Sequence, residues 1–249
     1  MFRPIATLFS IVFCSNLLHA SNLSKVVSEV VQEKSDLILG TQFELELTEN
    51  TVLPETMLQF LSDNLFIYQK LEEKLKALNH PIICPELFRS SALEKDIAFL
   101  SFSFDLSIPP PTQTAINLRD SLSYLNARGL LIAYYTFYIS LFSPARRNAF
   151  VGRWVSRYEQ LKSSSLVFFS ELYEPNRSYV IKDTIEYFSK ILLLDFEVKE
   201  NKALVKTLVD LMVDLEKNIY KSEFVLKASK PTLTDTYNEE MANFFQSKL

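Results

Sequence analysis

Three glycines in 249 residues, at Gly40, Gly129 and Gly152, set the first limit on what this chain can fold into. Tight β-hairpins lean on glycine for positive φ, so a hairpin-rich sheet protein is disfavoured from the start. A glycine-rich phosphate loop is excluded too, because no two of the three lie close together. Leucine, lysine, glutamate and phenylalanine are abundant, as in helical proteins. The expectation is an all-α fold in a single domain, long enough to bury a sizeable core.

Apolar periodicity supports that reading. The cleanest stripe is Met57, Leu61, Leu65, Tyr68, Leu71, Leu75 and Leu78, spaced alternately by three and four. A helix is expected from Pro54, proline being acceptable in a first turn, to the stop at Asn79 to Pro81. Further helices are expected over Ser24–Leu39, from Cys84 through Leu100, over Thr114–Leu125, Ala149–Leu161, Lys182–Leu194 and Asn201–Lys221. Ile108–Thr112, with three consecutive prolines, is read as a rigid extended connector. Ser163–Ser165 is read as a break and Glu174–Ser178 as a turn.

The most apolar run, Leu130–Arg147, is expected to be a buried central helix. A bilayer-spanning helix needs roughly 20 apolar residues. This run is shorter and is interrupted by Thr136 and Ser140, so the mature chain is expected to carry no stable transmembrane span. Its hydroxyls at Tyr134, Tyr135, Thr136 and Tyr138 suit a protein interior. Pro144 is expected to kink or end it.

Residues 1–20 read as a secretory signal peptide. Arg3 begins it, Ile5–Phe13 is its short apolar core, and Ala20 offers a small residue at the cut. The protein is therefore expected to be exported, to a periplasm, a secretory lumen or a plastid reached through one. Cleavage there would make the formal charge of −4 one unit more negative by removing Arg3. It would leave Cys84 and His80 as the sole cysteine and histidine, so no internal disulfide is available. Residues 21–228 form the expected helical domain. Residues 229–249 form a tail, with a short amphipathic piece carrying Met241, Phe244 and Phe245.

Several segments together resemble heme oxygenase. Glu29–Gln32 stands where that family has a first-helix Glu-Val-His segment. Leu65–Glu73, with Tyr68 and Leu71, is similar to its second-helix pattern and is followed by Asn79, His80 and Pro81. Cys84–Arg89 and Ala92–Asp96 are similar to its Pro-Glu-Leu and Leu-Glu-Lys-Asp segments. Pro111–Thr114, Ala133–Tyr138 and Lys182–Phe196 continue the series in the family's order, over roughly residues 23–225. The resemblance implies a heme oxygenase-like helical bundle, with heme as the family's cofactor.

It also implies a degenerate site. In the family a first-helix histidine ligates the heme iron; the matching position here is Val31, which has no donor atom. The family's distal Gly-Asp-Leu-Ser-Gly-Gly segment falls on Ser140, Leu141, Phe142, Ser143, Pro144 and Ala145. Ser140 puts a side chain where backbone should approach the heme, Leu141 cannot hold a water, and Pro144 lacks an N–H. An arginine upstream in the family falls on Phe137. Two propionate-pairing basic positions fall on Ser28 and Phe188, leaving Lys25 and Lys190 as charge partners.

No cofactor is therefore expected, and the leading function is a heme oxygenase-like binding or scaffolding protein. The alternative is an active heme oxygenase with an unusual iron ligand, in which case heme is the cofactor. Tyr134, Tyr135, Tyr138 and Phe142 either line a pocket for a flat ligand or fill the core where heme would sit. Arg146, Arg153 and Arg157 share one helical face, with Arg147 beside them. That face is either ordinary solvated surface or a docking site for an unknown protein or anionic partner. The net negative charge gives no global pull toward nucleic acid. His80 reads as a loop residue before proline, and Cys84 as a small residue at a helix start with no neighbouring base.

Overall fold

Side-chain caps fix where most helices begin. Asn22 Oδ1 accepts the Lys25 amide at 2.8 Å and opens α1, Leu23–Glu33. The chain breaks at Lys34, makes a short α2 over Ser35–Leu39, and restarts when Thr41 Oγ1 accepts the Glu44 amide. This gives α3, Gln42–Glu49, which stripe periodicity did not foretell. Proline opens α4, Pro54–Leu78, and Asn79 closes it in the left-handed region at φ 46°. Asparagine tolerates that conformation where a β-branched residue would not.

A 3-10 turn at Pro85–Leu87 leads into α5, Ser90–Phe104. Past the proline connector, Thr112 caps α6, Gln113–Ser123, and Asn126 caps α7, Ala127–Tyr135. A single π-helical turn follows at Thr136–Ser140. The remaining helices are α8 (Pro144–Arg157), α9 (Val167–Ser170), α10 (Pro175–Lys190), α11 (Asp195–Ile219) and α12 (Glu223–Ala228). Ser21–Asn22 pairs antiparallel with Leu192–Leu193, the one sheet ladder among the described residues. The computed structural model describes residues 21–140, 144–161, 166–170, 175–193 and 195–228. The expected signal peptide and C-terminal tail lie outside the described residues, as do Leu141 and Phe142.

Helix α4 is the axis of the bundle. It packs against α5, α6, α7 and α12, and every residue from Thr56 to Asn64 is buried. The expected stripe faces inward: Met57, Leu61, Tyr68, Leu71 and Leu75 are all buried. Helix α11 lies across α1, where Lys202–Glu29 (2.8 Å), Lys206–Glu33 (3.0 Å) and Lys34–Asp210 (2.7 Å) bridge the two.

Leu130–Arg147 is buried through Tyr138 but is not one helix. It changes from α to π at Thr136, and the described chain is helical again from Pro144 to Arg157. Pro175–Ser178, expected to be part of a turn, belong to helix α10. No helix among the described residues is long and apolar enough to cross a membrane.

Candidate functional site

The candidate site lies where α1 meets the π-turn. Val26, Val27 and Val30 of α1 are fully buried, and Val31 is half-buried against the same core. The π-turn packs directly on α1. A π-turn releases backbone groups from the α-helical ladder. One of them, the Phe137 carbonyl, accepts the Tyr68 hydroxyl at 3.2 Å.

Around that bond the aromatic side chains close on one another. The Tyr68 ring meets Tyr138 edge-on at 5.2 Å and Phe168 at 5.9 Å, while Tyr134 and Tyr138 lie 5.1 Å apart. Tyr135 packs on Phe188 at 4.6 Å. Tyr134, Tyr135, Phe137, Tyr138 and Phe188 are all buried. These are offset and edge-to-face pairs of the kind that fill protein cores. Phe142 lies outside the described residues, as do the side chains of Ser140, Pro144 and Ala145.

Among the described residues, the two phenols, the thiol and one imidazole nitrogen nearest the site are engaged in other bonds. Tyr138 donates its hydroxyl to Glu72 Oε1 at 3.1 Å; burial, then the Glu72 charge, hold its pKa well above the ordinary phenol range. Tyr134 accepts the Cys84 amide at 3.2 Å, and burial raises its pKa too. Neither phenol is a phenolate at neutral pH. Cys84 donates to Glu86 Oε2 at 2.6 Å, and burial followed by that carboxylate pushes the thiol up to about 11. It is a protonated thiol, not a nucleophile. His80 accepts the Ile82 amide at 3.3 Å through Nδ1 and packs its ring on Tyr187 at 5.9 Å. No group of three metal-ligating side chains occurs among the described residues.

The charged positions behave as helix surface. Ser28 is exposed. Lys25 faces Glu29 at 3.9 Å and Lys190 bonds Glu186 at 2.7 Å, both pairs well exposed. On α8, Arg153 is exposed, whereas Arg157 donates to the Asn50 carbonyl at 2.6 Å and sits over the Tyr158 ring. Trp154, on the same helix, is fully buried and donates to the Val52 carbonyl at 2.8 Å. The Arg146 and Arg147 side chains lie outside the described residues.

Buried carboxylates are what the sequence reading passed over. Glu72 accepts the Arg89 and Ser90 amides at 2.6 and 3.0 Å and the Ser90 hydroxyl at 2.7 Å, so it caps α5 from α4. Asp96 accepts the Val167 and Phe168 amides, both at 2.8 Å, and so caps α9. Asp63 accepts the Thr112 amide at 2.7 Å and its hydroxyl at 2.8 Å, clasping the proline connector to α4. The signal was present: Glu72 sits next to Leu71 of the apolar stripe, where a solvated carboxylate has no place.

The all-α arrangement matches the heme oxygenase fold. Residues 40–147 match the heme oxygenase family model. That stretch begins after α1. No curated protein matches the chain. Among solved structures, heme oxygenase-1 from Synechocystis sp. PCC6803 in complex with heme has a TM-score of 0.70 at 14% identity, covering 84% of this chain and 96% of that one. Heme oxygenase-2 from the same cyanobacterium, in complex with heme and NO, has a TM-score of 0.67 at 17% identity, with coverages of 81% and 86%. The heme oxygenase of Leptospira interrogans has a TM-score of 0.67 at 16% identity, covering 80% of this chain and all of its own. The chain has the fold of the heme oxygenases, and its residues 40–147 resemble that family in sequence.

Proposed function

We propose that this chain is a heme oxygenase-fold protein that neither holds nor degrades heme and acts by binding a partner. The observation that carries the reading is the direct packing of the π-turn on α1, where Val31 is half-buried against the core; the sequence resemblance assigns Val31 to the family's ligand position. An iron ligand must offer a nitrogen, sulfur or oxygen donor, and valine has none. A flat macrocycle also needs separated walls, and here Tyr68, Tyr138, Phe137 and Phe168 pack on one another instead. The residues present do not fit a heme, so no catalytic step is assigned to them.

Titration of the purified protein with hemin tests this. No saturable Soret shift is expected, and a tight one-to-one complex refutes the reading. The competing reading, an active oxygenase with an unusual ligand, draws on the heme named with the two cyanobacterial structures. Biliverdin formation driven by a reductase would establish it. For a partner, the α8 face carrying Arg146, Arg147 and Arg153 is the first candidate, with Arg157 partly committed to Asn50. An acidic protein or other anionic surface is the complement of that face. Export through residues 1–20 belongs to the same proposal.

A further inference from the structure

A groove independent of the heme question lies between the proline connector and the turn from α11 into α12. Pro110 and Pro111 stand on one wall, and Phe224, Lys221 and Lys227 on the other. Ile108, on the connector, is 59% exposed, and Leu226, between Phe224 and Lys227, is 48% exposed. Single exposed apolar residues need no explanation, but these two rim a concave surface. The groove encloses about 590 Å³. That volume admits a few side chains, not the body of a helix, whose diameter is about 10–12 Å. Lys221 and Lys227 are exposed, and the connector wall from Ser107 to Thr114 carries no charge to offset them. Glu223 meets Lys227 at 3.5 Å in a well-exposed pair.

The described chain ends at Ala228, one residue beyond the groove wall, and residues 229–249 follow from that point. Their sequence carries the complementary pattern. Leu233, Tyr237, Met241 and Phe244 recur at spacings of four, four and three, a single stripe at the helical period with Phe245 at its edge. Between Pro231 and Ser247 the charged residues are Asp235, Glu239 and Glu240, all acidic. An apolar stripe flanked by carboxylates is the complement of a proline and phenylalanine groove flanked by lysines. Residues 229–232 span roughly 13 Å when extended, enough to turn the stripe back over the groove.

We propose that Leu233–Phe245 of this chain docks in the groove as an amphipathic helix. Tyr237, Met241 and Phe244 insert over Pro110, Pro111 and Phe224, and Glu239 and Glu240 pair with Lys221 and Lys227. The contact covers Ile108 and Leu226 and ties α12 to the proline connector. At six residues α12 is too short to be stable by itself, so the docked segment also protects it. Any partner for this face must first displace the chain's own C-terminal segment.

Hydrogen exchange of the full chain, read by mass spectrometry over residues 221–228, tests the proposal. Tyr237→Ser/Phe244→Ser leaves every described core residue in place and should speed exchange there roughly tenfold. Lys221→Glu/Lys227→Glu should speed it as well. Adding Glu239→Lys/Glu240→Lys to that variant should restore protection, which a simple loss of α12 stability would not allow. The proposal is overturned if the Tyr237→Ser/Phe244→Ser variant exchanges like the wild type, or if the charge swap restores nothing. It is overturned too if wild-type protection falls on dilution, which would make a second copy the occupant.

Discussion

Asp63 makes stability depend on pH in a direction opposite to most carboxylates, and Asp63→Asn isolates it. The carboxyl is fully buried, and desolvation outweighs the hydrogen bonds from Thr112 and Gln59, so its pKa rises from 3.8 to about 6. In the unfolded chain the group is ionised above 3.8, while in the folded chain it still holds a proton up to about 6. The folded state therefore binds more protons across that window, and stability is lost as pH rises through it. Roughly two pH units at about 1.4 kcal/mol each give about 3 kcal/mol present below pH 4 and absent above pH 6. Exposed carboxylates work the other way: hydrogen bonds from Lys202, Lys70 and Lys190 lower the pKa of Glu29, Glu73 and Glu186. Comparison with Asp63→Asn cancels them, because the variant keeps all three. Urea unfolding of both proteins at pH 4, 5, 6 and 7 reads the difference. The variant should gain on the wild type by about 2 kcal/mol between the ends of the series, because at pH 4 the unfolded group is already half ionised. A difference that stays flat, or that moves the other way, refutes the assignment.

Three further substitutions test the core and the site. Tyr68→Phe removes the donor to the Phe137 carbonyl inside the π-turn and should cost about 1 kcal/mol in urea unfolding. Gly40→Ala places a Cβ 2.9 Å from the Asp36 carbonyl oxygen. Since backbone must shift to accommodate it, a loss of about 1 kcal/mol or more is expected, read as a lower Tm. Val31→His supplies an imidazole at the position matching the family's ligand while leaving the aromatic core closed. Hemin should still give no saturable Soret shift with this variant. Its appearance would show that the cavity opens and that the missing ligand alone was the obstacle.

The stripe over Pro54–Leu78 was legible because a helix buried on most sides repeats its apolar residues at the helical period. Helix α3 was missed although Thr41 and Glu44 carry the Thr-x-x-Glu capping pattern, because Leu45 on its outer face blurs the amphipathic period. The Leu130–Arg147 run misled for another reason. Periodicity reports burial, and burial was read correctly through Tyr138. It does not report which carbonyls find a partner, and the Phe137 carbonyl of the π-turn finds its partner in Tyr68, nearly seventy residues away in sequence.

Composition and spacing alone determined the all-α class and the position of the long Pro54–Leu78 helix. Those are local properties: propensity, period and side-chain chemistry. Only the tertiary structure decided how α1 meets the π-turn, that Tyr134, Tyr135 and Tyr138 pack as core, and that Asp63, Glu72 and Asp96 reach across to cap distant segments. These depend on which surfaces face each other once the helices assemble. A carboxylate's role is set by the amides brought to it, and those belong to other parts of the chain.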